Sequence, residues 1–139
     1  MPEARTLVPG RGSGNALVLE EPLSFWGGVD PTNGAVIDVH HPQLGENVAG
    51  RVLVMPSSRG SSSSAYVLAE AIRTGTAPAA IVLLETDGIL ALGAIVAREL
   101  YDIALPIVVV DEASYGRIRT NMTLDVDART RAASVSGRS

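Results

Sequence analysis

The chain has 139 residues, a formal net charge of −4, 46% hydrophobic and 19% charged residues, the profile of one globular domain rather than a disordered tail. It has 0 cysteines, which excludes disulfides and the thiolate sets that most iron–sulfur and structural zinc sites need, and no basic stripe that would meet nucleic acid. No apolar run approaches the ~20 residues of a membrane span and no signal-peptide core opens the chain, so no membrane partner is expected and the cytoplasm is the expected compartment.

In chain order, residues 1–14 read as a loose lead-in that ends in a glycine-rich turn at Gly10, Gly12 and Gly14. A dinucleotide loop would need a helix next, and Ala16–Leu19 reads as a strand. Residues 20–34 hold the one Phe and the one Trp side by side, then Gly27, Gly28 and the turn signals Asp30-Pro31 and Asn33-Gly34. Two large rings beside two glycines either plug the core or mark backbone packed closely on a ligand or another chain. Residues 35–39 read as a strand pairing with the first one, closed by His40 and His41. Neighbouring histidines on a strand point apart, and no second ligand group accompanies them, so a metal site here is a poor reading.

The pattern then changes. Residues 51–55 form a strand, 62–73 a helix with Ala65, Leu68, Ala69 and Ile72 at helical spacing, 80–84 a strand, 89–101 a helix with Ile89, Leu92, Val96 and Leu100 on one face and 106–110 a strand. The strands are continuously apolar, as strands covered on both faces are. This βαβαβ run predicts three parallel strands. A helical turn at 113–118, a strand at 122–127 and a polar end, 129–139, expected to fray, complete one domain over 1–139. The fold class is α/β, with a parallel βαβαβ unit and a β-rich first third.

The stretch that carries chemistry is MPSSRGSSSS, Met55–Ser64, between a buried strand and a helix. A helix N-terminus presents unpaired N–H groups and partial positive charge, and Arg59 adds a planar fork suited to a carboxylate or phosphate. In parallel sheets ligands sit beyond the carboxyl ends of the strands, where this loop falls. A flexible linker and a plain capping turn at Ser61 or Ser62 are the competing readings. A nucleophilic triad is a poor fit, because G-x-S-x-G is absent and the histidines are one adjacent pair. A P-loop is excluded by the lack of its motif and of any lysine. A serine acting as base remains, its alkoxide stabilised by a guanidinium and helix N–H groups.

SFWGGVDPTNG, a following segment ending in HHP, VLVMPSSRGSSSSAYVL and TDGILALGAIVARELYDIALPIV together resemble the small subunit, or swivel domain, of the aconitase X family of hydro-lyases, over about residues 10–110. The resemblance implies a swivelling β/β/α fold like the mobile domain of aconitase. It also implies a large-subunit partner that carries the iron–sulfur cluster, so that this chain binds no cofactor itself. The loop SSRGSSS looks like the bacterial form, which includes cis-3-hydroxy-L-proline dehydratase; the archaeal branch is mevalonate 5-phosphate dehydratase. Carried over by position, Ser61 is the proton acceptor, with Ser62 as second choice. Arg59, Ser57, Ser58 and Gly60 bind the carboxylate substrate, and Gly28 and Asp30 line the cleft. The implied reaction is elimination of water: a base takes the proton α to the carboxylate while iron on the partner holds the departing hydroxyl, and the chain alone should be inactive. A non-catalytic module that binds a partner or small anion through the serine loop is the rival from another class.

Overall fold

A computed structural model describes residues 3–60, 62–130 and 132–138. Its strands are β1 (Glu3–Val8), β2 (Gly10–Val18), β3 (Val52–Met55), β4 (Ala80–Leu83), β5 (Ile107–Val109), β6 (Thr123–Ala128) and β7 (Ala133–Arg138). The helical elements are α1 (Phe25–Gly28), α2 (Ser63–Thr74), α3 (Gly88–Tyr101) and α4 (Glu112–Tyr115). The strands close into a seven-stranded barrel in the order β1-β5-β4-β3-β2-β6-β7. Strands β2, β3, β4 and β5 run parallel, and β1, β6 and β7 pair antiparallel. The fold is therefore α/β with a parallel βαβαβ unit, as the apolar runs required. Barrel closure was not anticipated.

Closure follows from segments the sequence reading left without structure. The supposed lead-in is β1 plus most of β2, and the supposed frayed end holds β7, which pairs with β6 from Thr123↔Arg138 to Ala128↔Ala133. The glycine cluster is not a turn. Gly10, Gly12 and Gly14 alternate along β2, and their spacing of two places them on one face. A Cβ on Gly12 would lie 2.0 Å from the Ala79 carbonyl oxygen, and one on Gly14 would lie 2.4 Å from that of Gly50. Glycine is needed because loop backbone presses on that face. The expected strand at 35–39 is also absent: Ala35 and Val36 make only isolated bridges, to Asn47 and Val29.

Alternation in the central strands divides the core in two. Val52, Val54, Ala80, Val82 and Val108 join Leu124, Val126 and Val135 inside the barrel. Leu53, Met55, Ile81, Leu83 and Ile107 face outward under Leu68, Ile72, Leu90 and Ala94 of the helices. The narrow interior takes the smaller, β-branched residues, and the longer side chains fill the layer beneath α2 and α3. Those helices touch where a Cβ on Gly93 would stand 2.7 Å from the Ala65 carbonyl oxygen. Among the described residues no helix is long and apolar enough to cross a membrane.

Candidate active site

The loop after β3 lies at the carboxyl ends of the parallel strands and is tied down from both sides. The Pro56 carbonyl accepts from Leu84 N and Glu85 N, at 3.1 and 3.0 Å, joining it to the end of β4. Asp87 grips it next: its Oδ2 accepts from Ser58 N at 2.8 Å and from Ser58 Oγ at 2.5 Å. The other oxygen, Oδ1, accepts from Ile89 N and Leu90 N, both at 3.1 Å, and so caps α3. One nearly buried carboxylate thus receives four hydrogen bonds and couples a helix start to the serine loop. On the far side Ser58 bridges Leu23, and Arg59 N donates to the Leu23 carbonyl at 3.3 Å.

Gly60 follows with φ +109°, and a Cβ there would stand 2.6 Å from Ser24 Oγ and 2.9 Å from Ser64 Oγ. Those two hydroxyls are 3.0 Å apart, Ser24 Oγ donates to the Trp26 carbonyl at 2.9 Å, and Trp26 N donates to Ser64 Oγ at 3.3 Å. With Ser24 donating to Trp26, the proton between the hydroxyls belongs to Ser64, and three hydrogen bonds close a ring. The ring holds α1 against the first turn of α2. Inside α1, Trp26 (φ −74°, ψ 116°) and Gly27 (φ 77°, ψ −9°) have the dihedrals of a type II turn, which needs a residue tolerant of positive φ at its second corner. The two adjacent rings therefore part: Phe25 is fully buried, whereas Trp26 is 62% exposed beside the serine loop.

Arg59 extends outward, and its Nη2 lies 3.3 Å from Glu21 Oε1, both side chains being about half exposed. Ser57 is half-buried, and Ser62 stands at the start of α2 with no hydrogen bond from its side chain to the helix. By contrast α3 and α4 carry side-chain caps, Asp87 and Asp111. Ser61 lies outside the described residues. Gly28 is buried, its carbonyl accepting from Ile37 N at 2.9 Å. Asp30 is not brought to the loop. The next residue, Pro31, accepts from Thr74 and Thr76 Oγ1 at 3.0 and 2.6 Å, at the far end of α2, ~18 Å along a 12-residue helix. The Asp30 carboxylate caps its own turn through the hydroxyl and N–H of Thr32, which hold its pKa below the ordinary value.

Sequence reasoning missed Ser24, Ser64, Asp87 and Glu21. Thr-Asp-Gly before a helical pattern is an N-cap signature and could have singled out Asp87. The serine ring joins residues 40 apart and leaves no local signal. The histidine pair has a structural use: buried His41 places Nε2 3.0 Å from the Glu21 carbonyl and accepts from Gln43 N at Nδ1 at 3.0 Å, which puts the ring proton on Nε2. The donor set does not suit an iron–sulfur cluster, since cysteine is absent from the sequence and among the described residues no three of His, Asp and Glu converge.

Comparison with known proteins identifies the family of the domain. The model of the aconitase X swivel domain matches residues 2–135. The chain is 55% identical over 108 residues to cis-3-hydroxy-L-proline dehydratase of Pseudomonas aeruginosa, covering 78% of this chain but only 19% of that protein. It is 41% identical over 129 residues to the phosphomevalonate dehydratase small subunit of Methanothermobacter thermautotrophicus, covering 91% of this chain and 92% of the relative. Crystalline Thermococcus kodakaraensis aconitase X superposes with a TM-score of 0.82 at 35% identity, covering 98% of this chain and 99% of that one. The solution structure of a UPF0107 protein superposes with a TM-score of 0.81 at 36% identity over 96% of each chain. A match across nearly the whole chain, joined to the same fold in solved structures, places this protein in the aconitase X swivel domain family.

Proposed function

We propose that this chain is the small subunit of a two-chain dehydratase acting on cis-3-hydroxy-L-proline, and that it supplies the base and part of the carboxylate site while a larger chain supplies the iron–sulfur centre. The observation that carries the reading is the loop 56–60. It is fastened by Asp87, Leu23 and the serine ring, and it delivers an exposed Arg59 to the start of α2, where the Ser62 side chain makes no cap hydrogen bond. A guanidinium and a helix N-terminus both favour a bound carboxylate. Ser61 follows Gly60 directly in sequence and is the proposed base, with Ser57 proposed to help hold the substrate; the N–H and hydroxyl of Ser58 are taken by Asp87. Asp30 has no part in this site.

In the proposed reaction the proton at C2, beside the carboxylate, passes to the serine oxygen. The C2–H electron pair becomes the C2=C3 double bond, and the C3–O bond breaks with its pair leaving on the hydroxide. That hydroxide takes up a proton as the serine gives its own back to solvent, so that 2,3-didehydroproline and water result. The fastened loop 56–60 serves this step by holding the Arg59 clamp in place. The 55% identity to a hydroxyproline dehydratase supports this substrate. A second reading, a phosphomevalonate dehydratase small subunit, is favoured by relatives of that name that match over 91% of this chain.

The test is reconstitution with the larger chain and assay of both substrates. Ser61→Ala should lower turnover of the preferred substrate by about 10²-fold or more with the two chains still co-eluting. Near-normal turnover in that variant would refute the assignment of Ser61. Turnover of neither substrate by the wild-type pair would refute the dehydratase.

A further inference from the structure

The ion pair at the loop has a partner chemistry of its own. Glu21 lies just beyond the carboxyl end of β2, next to β3, and its position is fixed by groups with no other evident task. The His41 Nε2–H is committed to its carbonyl, and Gln43 accepts from Glu20 N at 3.2 Å while donating to Glu20 Oε2 at 3.3 Å. The carboxylate so placed reaches Arg59 at 3.3 Å. Plus and minus charges therefore stand side by side at the start of α2, open to solvent. The other arginine known to reach this end of the barrel, Arg5, is engaged by Thr86 Oγ1.

An α-amino acid carries a carboxylate and an ammonium on the same carbon, the mirror of such a pair. A substrate bearing a carboxylate and a phosphate has no positive group to offer Glu21 and is repelled by it. Building on the dehydratase reading, we infer that Glu21 is a specificity-determining residue. It accepts a hydrogen bond from the ring ammonium of a zwitterionic imino acid whose carboxylate rests on Arg59. The pair thereby selects an amino acid over a dianionic phosphate ester. His41 positions Glu21 and touches no substrate.

The experiment uses the reconstituted two-chain enzyme with wild-type, Glu21→Gln and Glu21→Asp chains. The ligands are cis-3-hydroxy-L-proline as substrate and cis-2-hydroxycyclopentane-1-carboxylate, which replaces the ring nitrogen by CH2, as competitive inhibitor. Loss of one charge-assisted hydrogen bond should raise the KM of Glu21→Gln for hydroxyproline about 10- to 100-fold, with kcat within about threefold. The Ki of the carbocycle should stay level or fall, and Glu21→Asp should recover most of the KM. An unmoved KM overturns the inference. So does an equal loss for both ligands, which would mean that Glu21 only steadies Arg59. A wild-type pair inert toward hydroxyproline overturns the substrate reading together with this inference, and that result is visible before any variant is made.

Discussion

Replacing Gly60 by alanine tests the architecture of the serine loop at its tightest point. The backbone there has φ +109°, a region that costs a residue with a Cβ about 1–3 kcal/mol. The new Cβ would also stand 2.6 Å from Ser24 Oγ and 2.9 Å from Ser64 Oγ. Neither hydroxyl can retreat freely, because both belong to the ring with Trp26 and each hydrogen bond given up loses about 1 kcal/mol. The sum is about 2–5 kcal/mol. At about 2–8 °C per kcal/mol for domains on either side of this size, the fall in Tm should be roughly 10 °C. Calorimetry on wild type, Gly60→Ala, Ser24→Ala and the double variant separates the two contributions. Removing Ser24 Oγ clears the 2.6 Å contact, so the double variant should be more stable than the summed single effects by about 1 kcal/mol or more. A Tm for Gly60→Ala within about 2 °C of wild type, or additivity within about 0.5 kcal/mol, would refute the reasoning.

Asp87→Ala should destabilise by about 2–4 kcal/mol, since it removes the α3 cap and leaves Ser58 without its acceptor. Asp87→Asn should keep the cap yet lose the Ser58 N–H bond, so chemical denaturation should rank it between wild type and Ala. His41→Ala should cost about 1–3 kcal/mol by removing the partners of the part-buried Glu21 carbonyl and Gln43 N–H groups and emptying the buried site of the ring, read from urea midpoints at constant m. Gly93→Ala should push α2 from α3 and cost about 1–3 kcal/mol, because its Cβ meets the Ala65 carbonyl oxygen rather than a movable side chain. On the acid side, Asp30 is held below the ordinary carboxylate pKa by the Thr32 hydroxyl and then its N–H, and Asp111 by the Ser114 N–H and then its hydroxyl. Folded-state pKa values below unfolded ones mean that the unfolded chain binds more protons, so this stabilisation is full above about pH 4 and is lost as pH falls through the folded values. Asp30→Asn with Asp111→Asn should flatten Tm against pH in that window.

The βαβαβ unit was legible because burial on both faces of β3 and β4 left no polar position, and because α2 kept apolar residues at helical spacing. For α3 the spacing of Ile89, Leu92, Val96 and Leu100 located the helix but not its buried face: Leu92 and Leu100 are exposed, and Leu90, Gly93, Ala94 and Ala97 are the residues buried, the last three small enough to bring α3 close to α2. The same criterion hid β1, β2 and β7. Along β2 the positions that would show apolar alternation are glycines, chosen for contact with carbonyls of Ala79 and Gly50, and a period of two in glycine looks like a turn. Asn33-Gly34 signals a turn correctly, but the segment after it spends its hydrogen bonds on Glu46 and Gly28 rather than on a sheet. At the site, Arg59 and the helix start could be read from residue types alone. Asp30 was drawn in by its nearness in sequence to Gly28, and the course of the chain along α2 carries it away. Glu21, Ser24 and Ser64 depend on contacts across 38 to 40 residues, which no local pattern encodes.

Pairing of Glu3 with Ser134 and of Ala4 with Ala133 brings the first and last strands alongside one another. A domain whose two ends emerge together can be grafted onto a larger polypeptide at either end, or threaded into a loop of one, without unpicking a strand. That geometry makes intelligible how a stretch 55% identical to this chain forms 19% of a much longer dehydratase in one organism, while 92% of a separate small subunit is matched in another. The lineage can exchange a covalent joint for a docking contact because the topology itself is indifferent to which is used.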